Sequence, residues 1–481
     1  MSKSIILGIC FTALAGTATG QAKDGWKDIF QQVHTEVSQR STGYQNLQQS
    51  TTYIGHRLTG SANGAKAEEQ VFNLLKSYGY TPRYQSFESE SWSRGGLALK
   101  IDGISYKAVS LAHSPVEASL SGTIVDLGNG LEEDYTNNKI SLKDKIVLVY
   151  LGVLPGSREG TRNLHRSEKT SLAIKNGAAG IIFFNAAPGN ILLTGTASVD
   201  GRLVSIPAIC ISNNDGQKLK EKLTKGVHSA NIIMNNFSGT VQARNVIATL
   251  PGKSKPGEKI VIGGHLDSWD LATGAIDNGI GSFAVVDMAR TFKALNLQPE
   301  RTIEFVLFMG EEQGLLGSKA YVKEALADGS LSSVKYMLNF DMTNDPKGYH
   351  SSVEDDKDII QGIGDIAKNI DTAFTNTYSS GLGLHSDHQP FLLQGIPTGG
   401  AAGRLSREVL NCYHADCDAF HLVNEQELKN TIFFGSILLY GLADSETLKA
   451  QRMNDEILRE KLEKANLKEP LQIAGEWRWT E

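Results

Sequence analysis

From about Thr240 onward the chain alternates apolar runs with helical stretches, and no other feature constrains its fold as strongly. NVIATL, KIVIGG, TIEFVLFMG, KYMLNFDM and GIPTGGA suit central strands, and helices are expected to begin near Asp277, Leu315, Lys357 and Glu425. This alternation predicts an α/β fold: a mixed, largely parallel central sheet with helices on both faces. Asn424 and Glu427 have the spacing of a capping box ahead of ELKNTIFFGSILLYGLA.

In open sheets of this kind, reactive groups gather beyond the carboxyl ends of the strands. His265 follows KIVIGG, Glu311 and Glu312 follow TIEFVLFMG, and Asp341 closes KYMLNF. Asp277 opens a helix after a glycine-containing turn, and His414 lies in NCYHADCDAF. His265, Asp277, Glu312, Asp341 and His414 offer two imidazoles and three carboxylates. Two zinc ions can be held by such a set if one carboxylate bridges them, leaving an open position for an activated water. Of the adjacent Glu311 and Glu312, one can hold metal while the other accepts a proton; residue type alone does not say which. Asp267, two residues after His265, is placed to fix the tautomer of that imidazole.

A chain of 481 residues exceeds the ~250–300 at which single cores usually stop growing, so at least two domains are expected. A net charge of −6 without a long basic stripe gives no reason to expect a nucleic-acid partner. Residues 1–20 read as a signal peptide: Lys3, then an apolar run from Ile5 to Ala15, then small residues around Ala18, Gly20 and Ala22. The run is shorter than the ~20 residues of a membrane span, so the expectation is a secreted protein, or a periplasmic one in a bacterium, without a stable span. Residues 21–50 read as a helical layer or a removable prosegment. Residues 51–108 and 239–445 read as the catalytic domain, with 109–238 a β-rich insert. Residues 446–481 read as a charged helical tail, solvated or docking a partner. Within the insert, SEKTSLAIKNG is the one helical segment expected. Cys210 sits in an apolar run and reads as a buried thiol. Cys412 and Cys417 flank His414 closely enough for a disulfide to staple its loop, and two free thiols are the alternative.

The phrases GGHLDSWD, the DNG turn, EEQGLLGS, the Asp after a strand, SDHQPF and a late YHxxxD together resemble the co-catalytic zinc exopeptidases. That family includes bacterial leucyl aminopeptidases and glutamate carboxypeptidase, and HLDSWD and KAVSLAHSP look most like its carboxypeptidase Q branch. DKIVLV and NGAAGIIFFN resemble a protease-associated domain. The resemblance implies two zinc ions per chain, one held by His265 and Asp341, the other by Glu312 and His414, with Asp277 bridging. It further implies Glu311 as general base, Asp267 orienting His265, and His388 and Tyr413 facing a short peptide substrate. Asp418 matches an acidic position of the family, and Ala419 stands where the family usually has Thr. A homodimer is compatible with the resemblance alone. Two other readings use the same scaffold: a glutaminyl-peptide cyclotransferase with one zinc, and a receptor-like module that has lost its ligands. The intact ligand set argues against the second.

Overall fold

The computed structural model describes residues 25–480; the signal segment expected over 1–20 lies outside the described residues. At the centre lies the strand Lys255–His265, paired in parallel with Arg301–Phe308 on one side and Val334–Asn339 on the other. Thr398–Ala402 continues in parallel, and Gly348–Ser351 and Thr377–Ser380 complete that edge. The strands are apolar on both sides because both faces are covered. Ile260 and Ile262 join the main core, in which Phe283, Phe292, Phe434 and Leu438 are buried. Val261 points the other way, into a smaller cluster with Tyr321, Val322 and Phe391. Successive side chains of a strand alternate faces, so one run of three residues feeds both layers.

The helix Glu425–Asp444 is buried over nearly its whole length. Asn424 caps it by accepting from the backbone N–H of Gln426 and Glu427 at 2.9 and 3.1 Å. The reciprocal half of the expected capping box is not made, because the Glu427 carboxylate accepts from Asn344 instead at 2.6 Å.

Residues 25–50 form the helices Trp26–Arg40 and Gly43–Gln49. Trp26, Phe30, Val33 and Val37 are buried in the main core, and Trp26 Nε1 donates to Asp444 at 2.8 Å. Phe30 is fully buried against Trp26 and Tyr440. Phe30→Ala is therefore expected to cost about 3–5 kcal/mol, read as a lower urea midpoint.

The long strands Arg83–Ile101 and Ser229–Leu250 run antiparallel as a ribbon. The first part of Ser229–Leu250 pairs with Glu117–Asp126, and its second part pairs with Arg301–Phe308. The ribbon therefore carries the sheet from the central strands into Glu117–Asp126, Lys145–Tyr150, Gly180–Phe184 and Ala208–Ile211, which pair in parallel. Helices Arg166–Lys175 and Asn213–Leu223 flank these strands, with an apolar cluster on each face. This unit is itself α/β, with more helix than its sequence suggested. Cys210 is buried within it and pushed up to about 12 by burial.

The C-terminal residues form helices Asp455–Lys464 and Lys468–Ile473. A solvated tail is not what is seen: Leu458, Leu462 and Leu471 are buried in the main core. Their spacing at i, i+4 on the first helix is the apolar stripe that the surrounding charges obscured.

Candidate active site

The sheet brings Asp277, Glu311, Glu312, Asp341 and His414 to one cleft, with His265 buried against them, and the cleft also receives Arg166 and Glu168 from the inserted unit. His265 ends its strand, and its Nε2 lies 3.2 Å from Asp277 Oδ1 and 3.4 Å from Asp341 Oδ1. His414 Nε2 lies 2.9 Å from Asp277 Oδ2 and 3.0 Å from Glu312 Oε2. The two oxygens of Asp277 thus face different imidazoles. Glu311 belongs to the same cluster: ligand atoms of His265, Glu311 and Asp341 all lie within 4.8 Å of one another.

Each of these side chains is held from behind. Asp267 accepts from the backbone N–H of Glu311 and Glu312 at 3.2 and 3.3 Å, so its carboxylate fixes the Glu–Glu turn. His265 Nδ1 lies 3.1 Å from the carbonyl of Asp267 and 3.6 Å from its carboxylate, too long for a hydrogen bond. The contact that orients His265 is thus the backbone of Asp267 rather than its side chain. Asp418 accepts from the N–H of Ile276 and Asp277 at 2.8 and 3.0 Å. Asn278 donates to Phe340 O and accepts from Met342 N, tying the Asp277 turn to the segment carrying Asp341. Ser386 donates to Asp341 Oδ2 at 2.6 Å. Cys412 and Cys417 are paired, with Cα atoms 5.2 Å apart, and His414 between them takes φ 54°.

Arg57, absent from every reading of the sequence, is fully buried. It donates to the carbonyls of Leu266, Thr273 and Gly274 at 2.6–2.8 Å, clamping the loops after His265 and before Asp277. Burial lowers its pKa to about 10, against the pull of Asp418, Asp267, Asp277 and Glu312. Arg57→Ala leaves three carbonyls unpaired, each costing about 1–3 kcal/mol. A lower melting temperature together with reduced metal retention is expected, measured by calorimetry and elemental analysis.

His388 is not among the residues that line the cleft, and its Nε2 meets the carbonyl of Gly383 at 3.1 Å. The helix His388–Leu392 turns it aside, and the preceding loop presents His385 to the cleft instead. Tyr413 does line the cleft, its ring stacked on His414 at 3.8 Å. Arg166 Nη2 donates to His414 Nδ1.

The electrostatics call for a cation. Burial opposes charging of His265, yet the carboxylates of Glu311 and Asp341 hold its imidazolium well above the ordinary range. His414, buried and facing Arg166, is pushed down to about 4. Burial, reinforced by Asp341 and Glu312 and opposed by His265, raises the Glu311 carboxyl well above normal. Glu312 Oε1 is buried with no hydrogen-bond partner. Buried carboxylates in this excess, with imidazoles and an orphaned oxygen among them, fit divalent metal of the zinc type.

Residues 245–434 match the family model described as peptidase family M28, and residues 118–219 match the PA domain. A probable leucine aminopeptidase 2 of Aspergillus fumigatus is 29% identical over 353 residues, covering 70% of this chain and 67% of the relative. Leucine aminopeptidase 2 of Trichophyton rubrum is 27% identical over 420 residues, covering 83% and 80%. The crystal structure of a peptidase M28 precursor from Shewanella amazonensis has a TM-score of 0.76 at 24% identity, covering 89% of this chain and 99% of that one. A zinc aminopeptidase from Bacillus subtilis has a TM-score of 0.65 at 24% identity, covering 86% and 98%. Residues 245–434 therefore read as a peptidase family M28 domain and residues 118–219 as a PA domain. The chain is a metallo-exopeptidase.

Proposed function

We propose that this peptidase holds two zinc ions, removes amino-terminal residues from dipeptides and other short peptides, and works outside the cytoplasm. The observation that carries the metal count is Asp277, which offers one oxygen to each of two imidazoles. His265 and Asp341 would hold one ion, Glu312 and His414 the other, with Asp277 between. Zinc bound there would polarise a peptide carbonyl and acidify water.

The remaining work falls to the chain's own residues. Glu311 takes a proton from the attacking water as its oxygen bonds to the carbonyl carbon. When the C–N bond breaks, Glu311 returns that proton to the departing amine. Asp267 keeps the Glu311 backbone in place, and Tyr413 and the buried walls exclude bulk water. Arg166 lines the cleft and presents a guanidinium of the kind that pairs with a terminal carboxylate. The cleft holds about 290 Å³, just below the ~300–1,000 Å³ usual for small-molecule sites. Both features favour a short peptide, and the fungal relatives named leucine aminopeptidase favour the amino end. The apolar run Ile5–Ala15 supports export.

A panel of dipeptides with free, amino-blocked and carboxyl-blocked ends tests the reading, alongside elemental analysis. Free dipeptides should turn over fastest with two zinc ions per chain. Equal rates on amino-blocked substrates would remove the aminopeptidase assignment, and a single zinc with cyclisation of amino-terminal glutamine would favour the cyclotransferase.

A further inference from the structure

The cleft has a wall that neither domain supplies. Pro470, Leu471, Ala474 and Glu476, from the C-terminal segment, line it together with the metal-type residues. On the short helix Lys468–Ile473, Leu471 is buried in the main core, while Ile473 packs on the core of the inserted unit. One turn of helix therefore spans two bodies that otherwise meet through the ribbon and the cleft.

Polar contacts fasten it at both ends. On the insert side, Arg162 Nη1 donates to the carbonyls of Ala465 and Asn466 at 2.7 and 3.2 Å. On the catalytic side, Lys319 pairs with Glu476 at 2.8 Å and Gln389 donates to the same carboxylate at 2.5 Å. Beyond Glu476, Arg478 donates to the carbonyl of Leu393 at 2.6 Å and Trp479 Nε1 to Asp455 at 2.8 Å. A segment serving only to finish a helix would not need anchors on two separate bodies.

We propose that residues 465–479 act as a strap that closes the far end of the cleft and sets the longest peptide the enzyme accepts. A peptide bound with its first residue at the metal-type cluster and growing toward Pro470 and Leu471 would meet this segment, which is anchored at Arg162 on one side and Lys319 on the other. The inference rests on the short-peptide exopeptidase reading and adds the element that enforces it.

Two variants test it. The first ends at Asn466 and removes the strap. The second, Arg162→Ala with Ile473→Asp, releases the strap from the insert while leaving Leu471 in the main core. For each, kcat/KM is measured on a ladder from dipeptide to hexapeptide. The hexapeptide-to-dipeptide ratio should rise roughly tenfold or more, equivalent to about 1.4 kcal/mol. An unchanged ratio in both variants overturns the strap while leaving the exopeptidase reading intact.

A second measurement does not depend on turnover. Val199 lines the cleft. In a Val199→Cys background, labelling at that position by a small maleimide and by a polymer-linked one is compared by peptide mass. Loss of the strap should raise the polymer-to-small labelling ratio. If intact enzyme hydrolyses no free peptide, the exopeptidase reading fails, and this ratio still decides whether the strap bars the cleft: no change overturns it.

Discussion

Glu311→Gln is expected to lower kcat by about 10²–10⁴ while zinc content stays at the wild-type level. Glu311 lies in the cleft beside His265 and Asp341, close enough to share a cluster with them. Its backbone is fixed by Asp267, so the amide variant keeps the turn. Glutamine preserves the size and one carbonyl oxygen but cannot accept and return a proton, which isolates the transfer step. KM should move little, because the substitution does not touch the groups that would hold the peptide ends. Turnover within a few-fold of wild type would assign the base elsewhere, and a parallel loss of zinc would make Glu311 a ligand instead.

Asp277→Ala is expected to have the larger structural effect: loss of most bound zinc, and turnover reduced to background. Asp277 is buried and meets both imidazoles at 3.2 and 2.9 Å. The two imidazoles hold its carboxyl below the usual carboxylate range against the opposing effect of burial. On the two-ion reading proposed above, its loss would take a ligand from both positions at once, whereas loss of Asp341 or Glu312 would strip only one. Breaking a buried charge pair by removing one partner costs about 3–5 kcal/mol, so a lower melting temperature should accompany the loss. Zinc per chain is counted by elemental analysis, with Asp341→Ala as the comparison. A variant that retains both ions would end the bridging assignment.

The parts of this site that could be read in the sequence are those that local pattern dictates. His265, Glu311, Glu312 and Asp341 each follow an apolar run, and a strand's end fixes where its next side chain goes. The residues that were missed act across long separations. Arg57 reaches carbonyls more than two hundred positions away, and Arg166 meets His414 from another unit altogether. Nothing local distinguishes either from a surface arginine.

SDHQPF drew attention to His388, yet Ser386 in the same phrase is the residue that touches Asp341. Ser386 lies in the bend before the helix and His388 opens the helix, a distinction finer than a motif resolves. The ribbon was equally hidden. Ile233 and Phe237 on Ser229–Leu250 are more than half exposed, so apolar residues stand on both faces and mask the alternation that buries Ala230, Ile232 and Met234.

That ribbon gives the inserted unit an unusual kind of independence. Its outgoing and returning strands are hydrogen-bonded neighbours: Ser91 stands opposite Gly239, and Arg83 opposite Ile247. A cut there leaves two ends that a tight turn can rejoin, since antiparallel partners need only a two-residue loop. The whole unit can be exchanged as a cassette, with the peptidase sheet left paired as before, so substrate choice and chemistry are free to evolve on separate pieces of one polypeptide.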